Sequence, residues 1–283
     1  MAHRIGRREP VGKALWRLLG DDIEKARQAL AGNGPREERI HRARQRLKRA
    51  RSALTVMEPA LGAAADEIRK MLSGAGRMLG GARDADVAAA TARGLRAGIS
   101  NGDAGLDRVV AVLESRAEEA HRHDTPIETV VDRLRHAEAR LASAVFEIDG
   151  EKLFARALLR SYAKGRKAMR QAEETLSTPD LHTWRKDVKD LWHLVRLGRK
   201  RVPAKIAKMG KRLERLGDLL GRDHDHAVLA EKLALAPDAD HSLMRQLAMI
   251  AAERRALEKE AFAIGSRLYR RKPKAFAAKA RLR

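Results

Sequence analysis

The chain contains no cysteine, which excludes a disulfide framework and any chemistry that depends on a thiolate. Aromatic residues make up 3% of it, too few for single-stranded nucleic-acid binding built on base stacking. No apolar run approaches the roughly eighteen residues that a membrane span needs. Near the start, Arg17 interrupts the short run ALWRLL, so no secretory signal is read there. Alternating runs of β-branched residues are almost missing, which excludes an architecture based on sheets. Carboxylates are also in short supply, with 38 Asp and Glu against 60 Lys and Arg. These absences describe a soluble, cytoplasmic protein with no membrane contact.

The residues that are abundant, Ala, Leu, Arg, Lys and Glu, favour helix throughout, and the fold class is expected to be all-α. Net charge is +22 over 283 residues. Such an excess repels itself and suits a polyanionic partner or an anionic surface. Breaks at Gly, Pro, Asn and Asp divide the helical periodicity into segments. The first runs from Pro10 to about Ala31, and the second from Arg36 to Met57, stopping before Pro59. A third covers Ala63 to Leu95 with a bend at Gly80-Gly81, and a fourth follows the loop at 100–103. Asp124-Thr125-Pro126 reads as an N-cap with proline at the first helical position. Further helices are expected near 126–147, 151–175, 180–200, 204–235 and 240–270. The tail YRRKPKAFAAKARLR reads as basic and partly disordered.

LGRDHDHAV, residues 220–228, places two histidines and two aspartates in four consecutive positions. Imidazole and carboxylate are good ligands for divalent cations, so a metal-dependent phosphohydrolase is the first chemistry to weigh. An internal repeat points elsewhere. HRARQRLK at 41–48 and HTWRKDVK at 182–189 share the spacing H-x2-R-x3-K at an offset of 141 residues. At the same offset Lys70 matches Lys211, Leu72 matches Leu213 and Gly76 matches Gly217. LGGARDADV at 79–87 then falls on LGRDHDHAV. One constant register across nearly fifty residues implies two related halves.

At about 100° per residue, His41, Arg44, Lys48 and Arg51 share one arc of a helix. His182, Arg185, Lys189 and Arg196 share the matching arc in the second half. A single cationic stripe is usually a solvated helix face. A duplicated one, whose charges repel at helical spacing, calls for an anion. Arginine forks and lysine point charges suit phosphate in particular. A histidine among cations would sit below its usual pKa and gain a proton when a polyanion arrives. Arg160 and Lys167 extend the basic surface along 156–171, with a weaker match in Lys13, Arg17 and Lys25. Under the repeat His224 takes the place of Arg83, which suits an anion-facing position better than a metal ligand. Asp84 and Asp225 match one another and are expected to steady the cations as ion-pair partners. No further ligands with metal-site spacing accompany them, and His193 and His241 read as surface residues. No metal or other cofactor is expected.

The paired H-x2-R-x3-K motifs and the paired LGxxRD and LGxxHD motifs resemble those of the CHAD domain, the conserved histidine α-helical domain. The resemblance spans 8–272, with halves at about 8–124 and 125–272 and a basic tail at 273–283. It implies two pseudo-twofold-related four-helix units around a basic central pore or cavity, and non-catalytic binding of inorganic polyphosphate. It also implies a place on polyphosphate granules. Lys70, Arg77, Arg83 and Lys211 join the candidate binding residues. The second half departs from the family pattern after Lys189, where Asp190, Leu191, Trp192 and His193 replace further cations. Ala227 likewise stands where the first half has Asp86. Two other functions remain open: charge-driven, weak nucleic-acid binding, and a phosphohydrolase using His224 and Asp225. Oligomeric state is not legible.

Overall fold

The structure is a computed structural model that describes residues 3–97, 104–122, 126–144, 149–234 and 241–280; within these, the side chains of 81–83, 104, 121–122, 241–243 and 279 are set aside. Its described residues are helical without strands, in the order α1 (Val11–Ala31), α2 (Arg36–Leu61), α3 (Ala63–Met78), α4 (Gly81–Ala97), α5 (Ala104–Arg122), α6 (Ile127–Ala142), α7 (Gly150–Thr175), α8 (Thr178–Leu197), α9 (Ala204–Ala207), α10 (Met209–Ala234), α11 (His241–Leu268) and α12 (Pro273–Lys279). The expected loop at 100–103 and the cap at Asp124-Thr125 lie outside the described residues. Pro126 stands one position ahead of α6 rather than inside it.

α1 packs on α2 and α6, α3 on α6 and α2, α7 on α8, and α10 on α8 and α11. α2 also touches α7 and α8, and one apolar core runs through both sets of helices. Leu15, Leu19, Leu47, Leu54, Phe154 and Trp184 are buried within it. A second, smaller core joins α4 and α5 to the later part of α10 and the early part of α11, around Ala92, Leu106, Leu229 and Ile250.

The structure moves several boundaries read from the sequence. α6 lies beyond the expected division at 124/125, yet it packs on α1 and α3. Its apolar stripe, Ile127, Val130, Leu134, Ala137 and Leu141, is buried there, so the first helical group ends after α6. α2 continues past Pro59 to Leu61 and ends at Gly62, although the proline removes the one N–H that would have bonded the Thr55 carbonyl. The expected bend at Gly80-Gly81 is a full break between α3 and α4. Within the tail expected to be partly disordered, Pro273–Lys279 form α12, which docks on α7. Phe276 is buried against Tyr162 with the rings stacked 3.8 Å apart. The Tyr162 hydroxyl donates to the Arg271 carbonyl at 3.0 Å. At the other end Ile5 is buried, and its N–H donates to the Leu197 carbonyl at 2.9 Å.

Candidate anion-binding site

α2, α3 and α8 enclose a cavity of about 600 Å³. α2 contributes Lys48, Arg49 and Arg51 to its wall, and α3 contributes Arg69. α8 adds Arg185, Lys186, Lys189 and Arg196. Against these eight cations stands one carboxylate among the described lining residues, Asp190. α2 presents positions 45, 48, 49, 51, 52 and 55, and α8 presents 186, 189, 190, 192, 193 and 196. Apart from Arg185, which lines the cavity while Arg44 does not, each α8 position is its α2 counterpart plus 141, so the sequence repeat places nearly the same face of each helix on the cavity.

Crowding among cations leaves its mark on the titrating groups. Arg51 is held below the usual arginine range chiefly by burial, with Asp190 opposing. Arg49 is lowered by burial and by Arg46, with Asp22 opposing and Arg196 adding. Burial, then His3, Arg196, Lys189 and Lys48, press His193 down to about 3. His193 is therefore a neutral, largely buried wall residue and not the surface residue expected. Trp192 beside it carries Arg196 over its ring at 4.6 Å and Lys189 at 5.5 Å. Lys189 also donates to Asp218 at 2.9 Å. The end of its side chain passes close over α10: a Cβ at position 217 would lie 2.7 Å from Lys189 Cε and would push that end aside.

His182 and His224 come together with ring centroids 4.2 Å apart. Burial, then His224, Lys186 and Arg185, lower His182 to about 4. His224 is lowered by burial and by Arg185, while Asp225 and Asp223 pull it up. Each Nδ1 is buried without a hydrogen-bond partner. In the first half His41 is exposed, with its Nε2 2.7 Å from the amide nitrogen of Gln45. Arg83 belongs to α4, but its side chain lies outside those described, as does that of His241.

Other sequence candidates fall in different places. The Arg44 guanidinium reaches across to the end of α3, where Nη1 donates to the carbonyls of Gly76 at 3.1 Å and Leu79 at 2.7 Å. It binds a helix C-terminus and does not line the cavity. Its counterpart Arg185 does line the cavity and lies against Gly221, the repeat partner of Gly80. Arg160 faces a neighbouring cavity of about 400 Å³ with Lys164, Glu58 and Asp187. Lys70, Arg77, Lys167 and Lys211 are exposed and line neither space. Asp84 is exposed in the first turn of α4, where a carboxylate meets the positive end of the helix dipole.

The HDH cluster also separates by residue. Asp223 is buried and accepts from Arg254 Nε at 2.8 Å, which joins α10 to α11. Arg254 Nη2 then donates to Thr178 Oγ1 at 3.1 Å, at the start of α8. His226 Nδ1 lies 2.9 Å from the carbonyl of Arg222 one turn earlier. Among the described residues no three His, Asp or Glu side chains gather to hold a metal ion.

Arg49, Arg69, Lys186, His3 and Trp192 were not among the sequence candidates. The repeat could have supplied Lys186, which sits opposite Gln45, and would have marked Arg49 through its opposite number Asp190. Arg69 carries no such signal, because its place depends on how α3 packs.

The CHAD domain family model matches residues 15–234. This chain belongs to the CHAD domain family. The CHAD domain from the plant Ricinus communis superposes with a TM-score of 0.69 at 18% identity, covering 99% of this chain and 96% of the plant one. PptA from Streptomyces chartreusis superposes with a TM-score of 0.63 at 15% identity, covering 93% of this chain and 100% of its own. At such identities the likeness is one of fold. Among curated proteins, none matches the sequence significantly. No helix among the described residues is long and apolar enough to cross a membrane.

Proposed function

We propose that this CHAD domain binds inorganic polyphosphate in the cavity between α2, α3 and α8, as a binding module and not as an enzyme. The observation that carries the reading is the set of eight Lys and Arg side chains facing a single carboxylate in that space. Phosphate oxygens accept from lysine and arginine, and a polyphosphate chain repeats that acceptor with no base or sugar to read. The low pKa values of His193, in the wall, and of His182, paired with His224, leave two imidazoles able to take up protons as negative charge arrives. Family membership supports the same ligand, and polyphosphate granules are the location it implies.

Net charge alone would also attract nucleic acid, and competition separates the two readings. Immobilised protein is expected to retain long-chain polyphosphate in preference to heparin or DNA. Polyphosphate is expected to displace labelled DNA at far lower phosphate concentration than DNA displaces polyphosphate. Equal displacement would reduce the site to a general polyanion surface. Release of phosphate from the bound chain on adding divalent metal, lost in His224→Ala, would overturn the non-catalytic reading.

A further inference from the structure

We infer that the outward face of α7 is a second binding site for polyphosphate, separate from the basic cavity, an inference that rests on the polyphosphate reading above. Lys152, Arg156, Arg160, Lys164, Lys167 and Arg170 are exposed on α7 and follow one another at intervals of three or four residues. At about 100° per residue they share an arc of roughly 120° and run for about 27 Å. Like charges at that spacing repel one another. Among the described residues none of the six forms an ion pair. The carboxylates of α7 stand only at its ends, where Glu151 is taken by Arg201 and Glu173 and Glu174 lie beyond the stripe.

A cationic stripe on one helix is ordinarily a solvated face, and α1 gives the comparison within this fold. The buried positions 11, 14, 15, 18, 19, 22 and 26 of α1 recur 143 residues on in α7. The change from 141 falls in the loop, which is two residues shorter before α8 than before α2. In that register the outward positions of α1 are Lys13, Arg17, Asp21, Glu24 and Arg27, matching Arg156, Arg160, Lys164, Lys167 and Arg170. The face of α1 is neutralised by protein. Asp21 lies 3.6 Å from both Arg17 and Lys25, and Arg27 pairs with Glu138 at 3.1 Å. α7 has lysine at both carboxylate positions. Its charge is left for an external anion, and a row of phosphates supplies acceptors at every turn of that face.

Carboxylates keep the two sites apart. Arg160 and Lys164, at one edge of the stripe, face the neighbouring cavity, which meets the basic cavity at Ser52, Thr55 and Asp190. Of the three carboxylates lining it, Glu58 is engaged by Arg69 at 2.6 Å. Asp187 and Asp190 form no ion pair among the described residues. They repel a polyanion at this junction, so a chain held by the eight cations of the cavity does not continue there onto α7. One molecule thus holds two segments, of one long chain or of two, and can cross-link polyphosphate.

The test counts bound chains by calorimetric titration at low salt, with size-selected polyphosphate too short to reach from the cavity to α7. The native protein is expected to take up two chains per molecule. Combining Lys152→Gln, Arg156→Gln, Lys167→Gln and Arg170→Gln changes exposed residues that line neither cavity, and should reduce the count to one. Combining Lys200→Gln, Lys205→Gln, Lys208→Gln and Arg212→Gln removes the same charge from other exposed positions, and should keep the count at two. With long chains, light scattering should show the native protein and the second variant growing into large assemblies, while the α7 variant binds without growth. One short chain per native molecule, or two in the α7 variant, overturns the inference and leaves the polyphosphate reading standing. An equal loss in both variants assigns the second chain to net charge and overturns the inference as well. Failure to bind polyphosphate of either length at low salt overturns the reading itself.

Discussion

Arg44 and Lys189 both come from the H-x2-R-x3-K repeat, and the structure gives them separate roles. The Arg44 fork satisfies two carbonyls at the end of α3, at Gly76 and Leu79. Removing it leaves carbonyls without a partner in a part-buried setting, a loss of about 1–3 kcal/mol. Lys189 lines the cavity between Trp192 and Asp218 and closes no helix end. Arg44→Ala is thus expected to lower the urea unfolding midpoint. Lys48→Ala and Lys189→Ala should leave the midpoint near native and weaken polyphosphate binding. By analogy with single-stranded nucleic acid, each should also flatten the plot of log affinity against log salt by about 0.7. Equal loss of stability in all three variants would remove the distinction. The sequence makes all three cations legible as members of one duplicated stripe. It does not show which of them turns towards a neighbouring helix end, since that depends on the distance between α2 and the break after Met78.

At the scale of elements, the buried carboxylates Asp22 and Asp223 play similar parts. Asp22, on α1, receives Arg46 from α2 at 3.1 Å and lies 2.5 Å from His3 Nδ1. Asp223, on α10, receives Arg254 from α11 at 2.8 Å. Both are about 1% exposed, and a charge so enclosed is tolerated only with its partner in place. Asp223→Ala would remove the nearest carboxylate of Arg254, leaving it Glu258 at 3.7 Å and Thr178, and is expected to cost about 1.5–3 kcal/mol of stability. Polyphosphate affinity measured well below the unfolding midpoint should be unchanged, since Asp223 lines neither cavity. A loss of affinity without loss of stability would instead place Asp223 in the binding site. Within LGRDHDHAV, the offset of 141 residues sets His224 opposite Arg83, and the structure places its ring beside that of His182. It is silent on Asp223, whose partner lies in a helix that the repeat does not reach. The end of α1 was legible in the Gly32–Pro35 cluster, whereas Pro59, read as a stop, lies inside α2. The docking of α6 and α12 was not legible, because it depends on which apolar stripe lies nearest.

For the whole molecule, the net charge of +22 acts against compactness, and the helices of the basic cavity carry part of that strain. Salt and polyphosphate should relieve it in distinguishable ways. Salt screens every exposed charge, so the melting temperature of the ligand-free protein is expected to rise with ionic strength. Polyphosphate bound as proposed needs the folded arrangement of α2, α3 and α8, and at about a hundred times its Kd would add about 2.7 kcal/mol. For a chain of this size that corresponds to a rise of about 5–10 °C at low salt. The same salt that stabilises the free protein should erase the increment, because it competes for the cations that make the site. Calorimetry with and without polyphosphate, at low and at molar salt, separates the two effects. An increment that survives molar salt would mean that contacts other than charge hold the chain. One that heparin reproduces in full would mean that neutralisation of the whole surface, and not the cavity, stabilises the fold.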